Sequence, residues 1–255
     1  MNQIIDAHIH LDQYSNDDII QFAREDTLLA AISVSTDLDS CITTKKWSQT
    51  FDFIKAAYGY HPEQPIPSDT YLSNLFTWIY TNKDSMTAVG EVGLPYYRRK
   101  MDPSAIPLEP YIELLEQFIL LAKKLDKPLI LHSVYDDADI AIHLLEKHSF
   151  SKVHFHWFKG STKTTEQMIT NGYYISLTPD LLYKEKTRQL ASRFPIDHIM
   201  VETDGPWQLE GPFLHQKNVP TLIHHTIHTL SALKKNNVPT MYSQLLINTK
   251  NFYSI

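Results

Sequence analysis

The sequence predicts a single-domain α/β protein, a (β/α)8 barrel of the TIM type over residues 1–255, on three observations. Short apolar runs alternate with helix-length amphipathic stretches along the whole chain. Eight such units fit into 255 residues, and this architecture typically takes about 250. Five of the eight runs carry histidine, glutamate or aspartate at or beside their C-terminal ends, where such a barrel gathers its chemistry. An open doubly wound sheet is the structural rival, because short apolar runs alone do not separate the two.

The elements follow in order. Gln3–His10 is the first strand. Ser15-Asn16-Asp17-Asp18 supplies a cap and an acidic first turn for a helix over Asn16–Arg24, which carries Ile19, Ile20 and Phe22. Leu28–Val34 is the second strand, with a helix over Asp37–Trp47; Ile54–Gly59 is the third, with a helix over Thr70–Asn82. Met86–Leu94 is the fourth strand. Pro110 then opens a helix to Lys124 with Leu114, Leu115, Phe118 and Leu121 at helical spacing. Lys127-Pro128 ends it and launches the fifth strand, Pro128–His132. Helix Asp136–Lys147, strand Lys152–Phe158, helix Lys163–Ile169, strand Gly172–Leu177, helix Leu181–Ser192 and strand His198–Thr203 complete the eight units. Two further helices, Val219–Lys235 and near Tyr242–Phe252, close the chain. Strands alternating with helices imply right-handed crossovers and a parallel sheet.

Composition removes several function classes. With 43% hydrophobic and 20% charged residues, the chain is expected to be globular. Cys41 is the only cysteine, so a disulfide framework and a cysteine-based zinc site are excluded. No apolar run approaches the ~20 residues of a membrane span, and MNQIIDAHIHLD does not read as a signal peptide. A cytoplasmic location is expected, with no membrane association and no obligate protein partner. A net charge of -6 argues against binding along many phosphates, although a local phosphate site stays open. Only 7 glycines are present, leaving little material for glycine-rich phosphate loops. Histidine is abundant, at 13 residues.

The strand ends carry the chemistry. In a regular first strand, His8 and His10 point to one side and Ile5, Ala7 and Ile9 to the other. Glu91 sits between Gly90 and Gly93 in an otherwise apolar fourth strand, and glutamate is rarely buried unless paired or metal-bound. His132 ends the fifth strand; His154 and His156 share a face of the sixth; Glu202 and Asp204 share one at the eighth. Any one of these has a plain reading as a packed histidine or a helix-capping carboxylate. One shared cause is more economical, and it is a metal centre at the barrel mouth. Imidazole and carboxylate ligands suit zinc, manganese or iron, whereas magnesium prefers more oxygen.

These segments also resemble the TatD family of metal-dependent hydrolases, within the amidohydrolase-like barrels. The resemblance rests on DAHIHLD from Asp6, GYHPE from Gly59, GEVGL from Gly90, PLILHS from Pro128, HWFKG from His156, ETDGP from Glu202 and the closing NTKNFYSI. It covers essentially the whole chain, in order. The resemblance implies that His8, His10, Glu91 and Asp204 hold one divalent metal ion. It implies that Glu91 bridges to a second ion held by His132 and His156, giving two ions per chain, of zinc, manganese, magnesium or iron. His61 would meet substrate phosphate, and Glu202 would orient a ligand from behind. The implied reaction is phosphodiester hydrolysis of the deoxyribonuclease or exonuclease kind, on a small phosphodiester or single-stranded nucleic acid. Glu91 and Asp204 would be catalytic, with Asp204 moving the proton.

Three positions depart from the family pattern: Glu63 stands for a histidine, Pro95 for an aspartate and Val134 for an arginine. None is a metal ligand in that pattern. Gaining a carboxylate and losing an arginine make a polyanion less welcome, and Arg98, Arg99 and Lys100 either compensate or form a solvated charge run. Trp157, Trp207, Tyr96 and Tyr97 stand beside the motifs, as stacking platforms for bases or as packing residues. An ester, lactone or cyclic amide is the rival substrate class. A non-enzymatic metal-binding barrel is the third reading. His224, His225 and His228 read as helix surface or packing, and His154 as an interior residue behind the site.

Overall fold

The structure, a computed structural model, describes residues 2–102 and 106–255. Its eight strands are β1 (Ile4–Ile9), β2 (Leu28–Ser33), β3 (Ile54–Tyr58), β4 (Ala88–Gly93), β5 (Leu129–His132), β6 (Val153–Phe155), β7 (Tyr174–Leu177) and β8 (Ile199–Val201). They lie in sequence order, each parallel to the next. The chain leaving β8 returns to β1. Asp204 N–H donates to the His8 carbonyl at 3.0 Å, and His10 N–H donates to the Gly205 carbonyl at 2.8 Å. Asp6 fastens the same seam: its carboxylate accepts the Thr203 N–H at 3.0 Å and the Thr203 hydroxyl at 2.5 Å. Burial pushes the Asp6 carboxyl up to about 7 despite these donors. Sequential order and a joined seam make the sheet a barrel and exclude the open alternative.

Ten α-helices lie among the described residues: α1 (Asn16–Phe22), α2 (Leu38–Thr50), α3 (Asp69–Thr81), α4 (Tyr96–Met101), α5 (Glu109–Leu125), α6 (Asp136–Lys147), α7 (Thr162–Thr170), α8 (Glu185–Arg193), α9 (Ile223–Leu233) and α10 (Val238–Tyr253). Capping residues explain several starts. Ser15 and Asp18 form a reciprocal capping box, as do Asp37 and Ser40, and Ser68, Ser161 and Asn237 accept from the third residue of their helices. The apolar stripe of α5 is buried through Leu114, Leu115 and Phe118, packed in the layer between helices and strands.

Four expectations change. The helix expected over Leu181–Ser192 is a short 3-10 turn, Pro179–Leu182, followed by α8 from Glu185. Thr178 caps that turn, and Lys184 is extended, so the two do not fuse. Strands β6 and β8 are shorter than expected, so His156, Glu202 and Asp204 lie on the backbone just past their ends. The run Arg98–Lys100 is helical, in α4. Finally, β1 does not alternate regularly, because its register against β2 shifts between Asp6 and Ile9. Ala7 therefore joins Ile32, Ala57, Ala88, Ile130 and Met200 inside the barrel, while Ile9 joins the outer layer. A bulge re-aims side chains in this way, and here it turns His8 inward next to Ala7.

The residues inside the barrel meet the end of α10. Tyr253, with Phe252 and Ile255 alongside, packs against that inner cluster. Phe252 lies against Tyr174, the first residue of β7, at a ring separation of 4.7 Å. So α10 plugs the N-terminal end of the barrel and leaves the other end to the polar residues. Gly93 permits the approach of β4 and β5: a Cβ there would lie 1.9 Å from the His132 carbonyl oxygen. That neighbour is backbone and cannot swing away. Gly93→Ala should therefore destabilise the protein by about 3 kcal/mol or more, read as a lowered midpoint in chemical denaturation. A midpoint equal to the parent's would show that the two strands part freely.

Candidate metal centre

Glu91 is fully buried at the middle of the C-terminal mouth. Its N–H donates to the Ser35 carbonyl at 3.1 Å. Gly59 makes room for its backbone, since a Cβ there would meet Gly90 C at 2.6 Å and Glu91 N at 2.8 Å. The two carboxylate oxygens face different neighbours. Oε2 lies 3.1 Å from His8 Nε2 and 3.4 Å from His10 Nε2. Asp204 Oδ1 completes that group at 3.4 Å from both imidazoles. Oε1 lies 2.9 Å from His132 Nδ1 and 2.6 Å from His156 Nε2, and those two nitrogens are 3.2 Å apart.

The spacings around Oε2 suit an ion. Ligands about 2.1 Å from a tetrahedral ion stand about 3.4 Å from one another. His8 Nε2, Glu91 Oε2 and Asp204 Oδ1 are sealed from solvent and have no hydrogen-bond partner. Such atoms cost about 1–3 kcal/mol each when left unsatisfied, and three of them converge on one point. The donor set, imidazole with carboxylate, fits a divalent cation. Groups of histidine and carboxylate atoms able to hold an ion recur here: His8, His10 and Glu91; His61, Glu91 and His132; His8, His156 and Glu202.

Charge is shared unevenly in the cluster. Burial pushes the Glu91 carboxyl up, but the imidazoles of His156, His61 and His8 outweigh it and hold it well below the usual range. Burial likewise opposes Asp204 ionisation, and the nearby imidazoles of His10 and His8 overcome it. Burial and His156 resist a proton on His8, yet Glu91 and Asp204 raise it to about 9.

All six residues expected as ligands converge, and two expected neighbours take defined places. His61 stands closer than a purely substrate-facing group would, with Nε2 3.4 Å from Glu91 Oε1. Its Nδ1 accepts the Glu63 N–H at 3.2 Å, which leaves the proton on Nε2, aimed into the cluster. Burial holds this imidazole below its ordinary value. Glu202 accepts the Trp157 N–H at 2.7 Å through Oε1, which is 3.8 Å from His156 Nδ1. Its Oε2 accepts the Ser176 hydroxyl, and Ser176 meets His154, which meets the Tyr253 hydroxyl. His154 is thus an interior link behind the site.

Glu63 has a part that its sequence position did not disclose. It accepts the Tyr97 and Arg98 N–H groups at the start of α4, both at 2.8 Å, and lies 3.5 Å from His132 Nε2. The carboxylate is spent on backbone donors and an imidazole, and those partners hold it below its ordinary range against burial. Arg98 donates to the Tyr111 hydroxyl at 2.7 Å and Arg99 to Asp137 at 2.6 Å, so neither compensates at the mouth. Pro95 and Val134 are buried. His224 bonds the Tyr242 hydroxyl at 2.6 Å, in keeping with a packing role.

The family model described as TatD-related DNase matches residues 5–254. An uncharacterized metal-dependent hydrolase of Haemophilus influenzae is 39% identical over 99% of this chain and 100% of its own length. Human deoxyribonuclease TATDN3 is 26% identical over 91% of this chain and 87% of its own. The crystal structure of YJJV, a TATD homolog from Escherichia coli K12, superposes with a TM-score of 0.87 at 25% identity, covering 100% of both chains. The chain belongs to the TatD-related DNase family of metal-dependent hydrolases.

Proposed function

We propose that the protein hydrolyses phosphodiesters with two divalent cations at the barrel mouth. The observation that carries this is the division of Glu91: one oxygen faces His8, His10 and Asp204, the other His132 and His156. His8, His10, Glu91 and Asp204 would hold one ion, and Glu91, His132 and His156 the other. Cations there would supply Lewis acidity and a water that ionises near neutral pH. The family description and the name of the human relative support a DNA substrate.

The chain's own groups then divide the work. Asp204 is ionised and faces the cluster, so its carboxylate accepts the nucleophile's proton and returns it to the leaving oxygen. His61 presents an Nε2–H donor to a phosphoryl oxygen. Glu202, held by the Trp157 N–H and the Ser176 hydroxyl, fixes the orientation of His156. Cys41 is buried and unpaired, in keeping with a reducing compartment such as the cytoplasm. No helix among the described residues is long and apolar enough to cross a membrane.

Metal-loaded protein should cleave bis(p-nitrophenyl) phosphate and a labelled single-stranded oligonucleotide, and chelation should stop both. Asp204→Asn should lower kcat by about 10²–10⁴-fold; an unchanged kcat would remove Asp204 from the reaction, and cleavage of esters or lactones alone would move the enzyme to another substrate class. Metal binding should also release protons at pH 7.5. His8 in the metal-free chain titrates near 9, above its ordinary 6.5, so it carries a proton at that pH which an ion must displace. Affinity should therefore rise with pH up to about 9. Calorimetry in buffers of different ionisation enthalpy reads the released protons; a buffer-independent heat would show His8 neutral beforehand.

A further inference from the structure

A cavity of about 600 Å³ opens beside the metal centre, between the loops leaving β5 and β6 and the helices α7 and α8. Its size falls in the range of small-ligand clefts (roughly 300–1,000 Å³). The centre's own residues do not line it. What lines it is cationic: Lys159, Lys184, Lys186 and Arg193 face a single carboxylate, Asp136. That is a local reversal of sign in a chain of net charge -6. Lys184 is partly answered by Glu210 at 3.7 Å and Asp180 at 3.8 Å. Lys159 and Arg193 are engaged by neutral groups. The Lys159 ammonium lies 4.1 Å from the Trp157 ring centre and 3.1 Å from the Tyr97 hydroxyl. Arg193 donates to the Thr162 hydroxyl.

The cavity is also joined to the centre. Tyr135 and Lys159, linked by a backbone hydrogen bond, stand three residues beyond His132 and His156. The Tyr97 ring centre is 6.0 Å from that of His132. Tyr97 and Trp157 therefore stand between the centre and cations carried by the loop after β6 and by α8.

We propose that this cavity is the track for the uncleaved part of a single-stranded nucleic acid, with Lys159, Lys186 and Arg193 meeting successive phosphates. The proposal rests on the phosphodiester reading and adds to it the place where the strand beyond the scissile bond would lie. Dispersed cations and hydroxyl donors suit several phosphates, and aromatic faces along the way suit unpaired bases. Charges set in one groove also reconcile nucleic-acid binding with an acidic protein.

The test pairs the parent with a Lys186→Glu, Arg193→Glu double variant, both changes at exposed positions. Binding of a fluorescent single-stranded 12-mer is read by anisotropy on an Asp204→Asn background, and hydrolysis is read on the metal-loaded proteins. Affinity for the 12-mer should fall about tenfold or more, and the slope of log Kd against log salt should shrink by about 1.4, at 0.7 per phosphate contact. The KM for bis(p-nitrophenyl) phosphate should stay unchanged. Unchanged 12-mer affinity and slope would overturn the track. An equal loss for a mononucleotide would also overturn it, in favour of a single-phosphate site. If the parent hydrolyses neither phosphodiester, the functional reading fails, and the anisotropy still decides the track by itself.

Discussion

A carboxylate with no exposure to solvent has to be compensated, and the compensation of Glu91 organises the barrel mouth. A buried ionised carboxyl is costly without partners. Here the imidazoles of His8, His10, His61, His132 and His156 all lie within 3.4 Å of its oxygens. Five strand ends have to converge for this to happen. Barrel geometry is what brings residues 8 and 156 to a ring separation of 3.8 Å, and no open sheet in sequence order would place β1 beside β8.

That convergence depends on close backbone approaches that side chains would block. Gly59 lets β4 descend against β3, and Gly93 lets it lie on His132. The seam between β8 and β1 depends on a different device. Asp6 is buried and takes up the Thr203 donors, so Asp204 leaves the last strand already held against His8. The cost of burying Asp6 is visible in its raised titration. It is accepted because an unpaired seam would misplace one of the two carboxylates of the first candidate site.

Strand order, the count of strands and the residues at their ends were legible because each is carried by a local pattern: an apolar run, a cap, a strand-end polar residue. What escaped was set by distant partners. The bulge in β1 arises from pairing with β2, so alternation along Gln3–His10 misplaced Ala7 while still placing His8 and His10 together. The α4 helix opens with Pro95 and has no local side-chain cap. Its exposed donors are satisfied by Glu63, more than thirty residues earlier, and nothing in the run from Tyr96 to Met101 announces that. Similarly, Leu181–Ser192 has a helix-like composition, but Thr178 and Pro179 bind it first into a separate turn.

Charge shows most clearly why composition and site can disagree. Glu63 reads in sequence as a charge hostile to phosphate. In the fold its oxygens are taken by two backbone N–H groups, with His132 beside them, so its field at the mouth is already answered. Arg98 and Arg99, beside it in α4, are engaged by Tyr111 and Asp137. The cations left to meet an anionic strand come instead from α8 and the loop after β6, segments without a motif. An acidic chain can bind a polyanion when its few unanswered cations share one groove beside the reacting centre, because the strand responds to local potential over about a Debye length (~8 Å at physiological salt) and not to net charge.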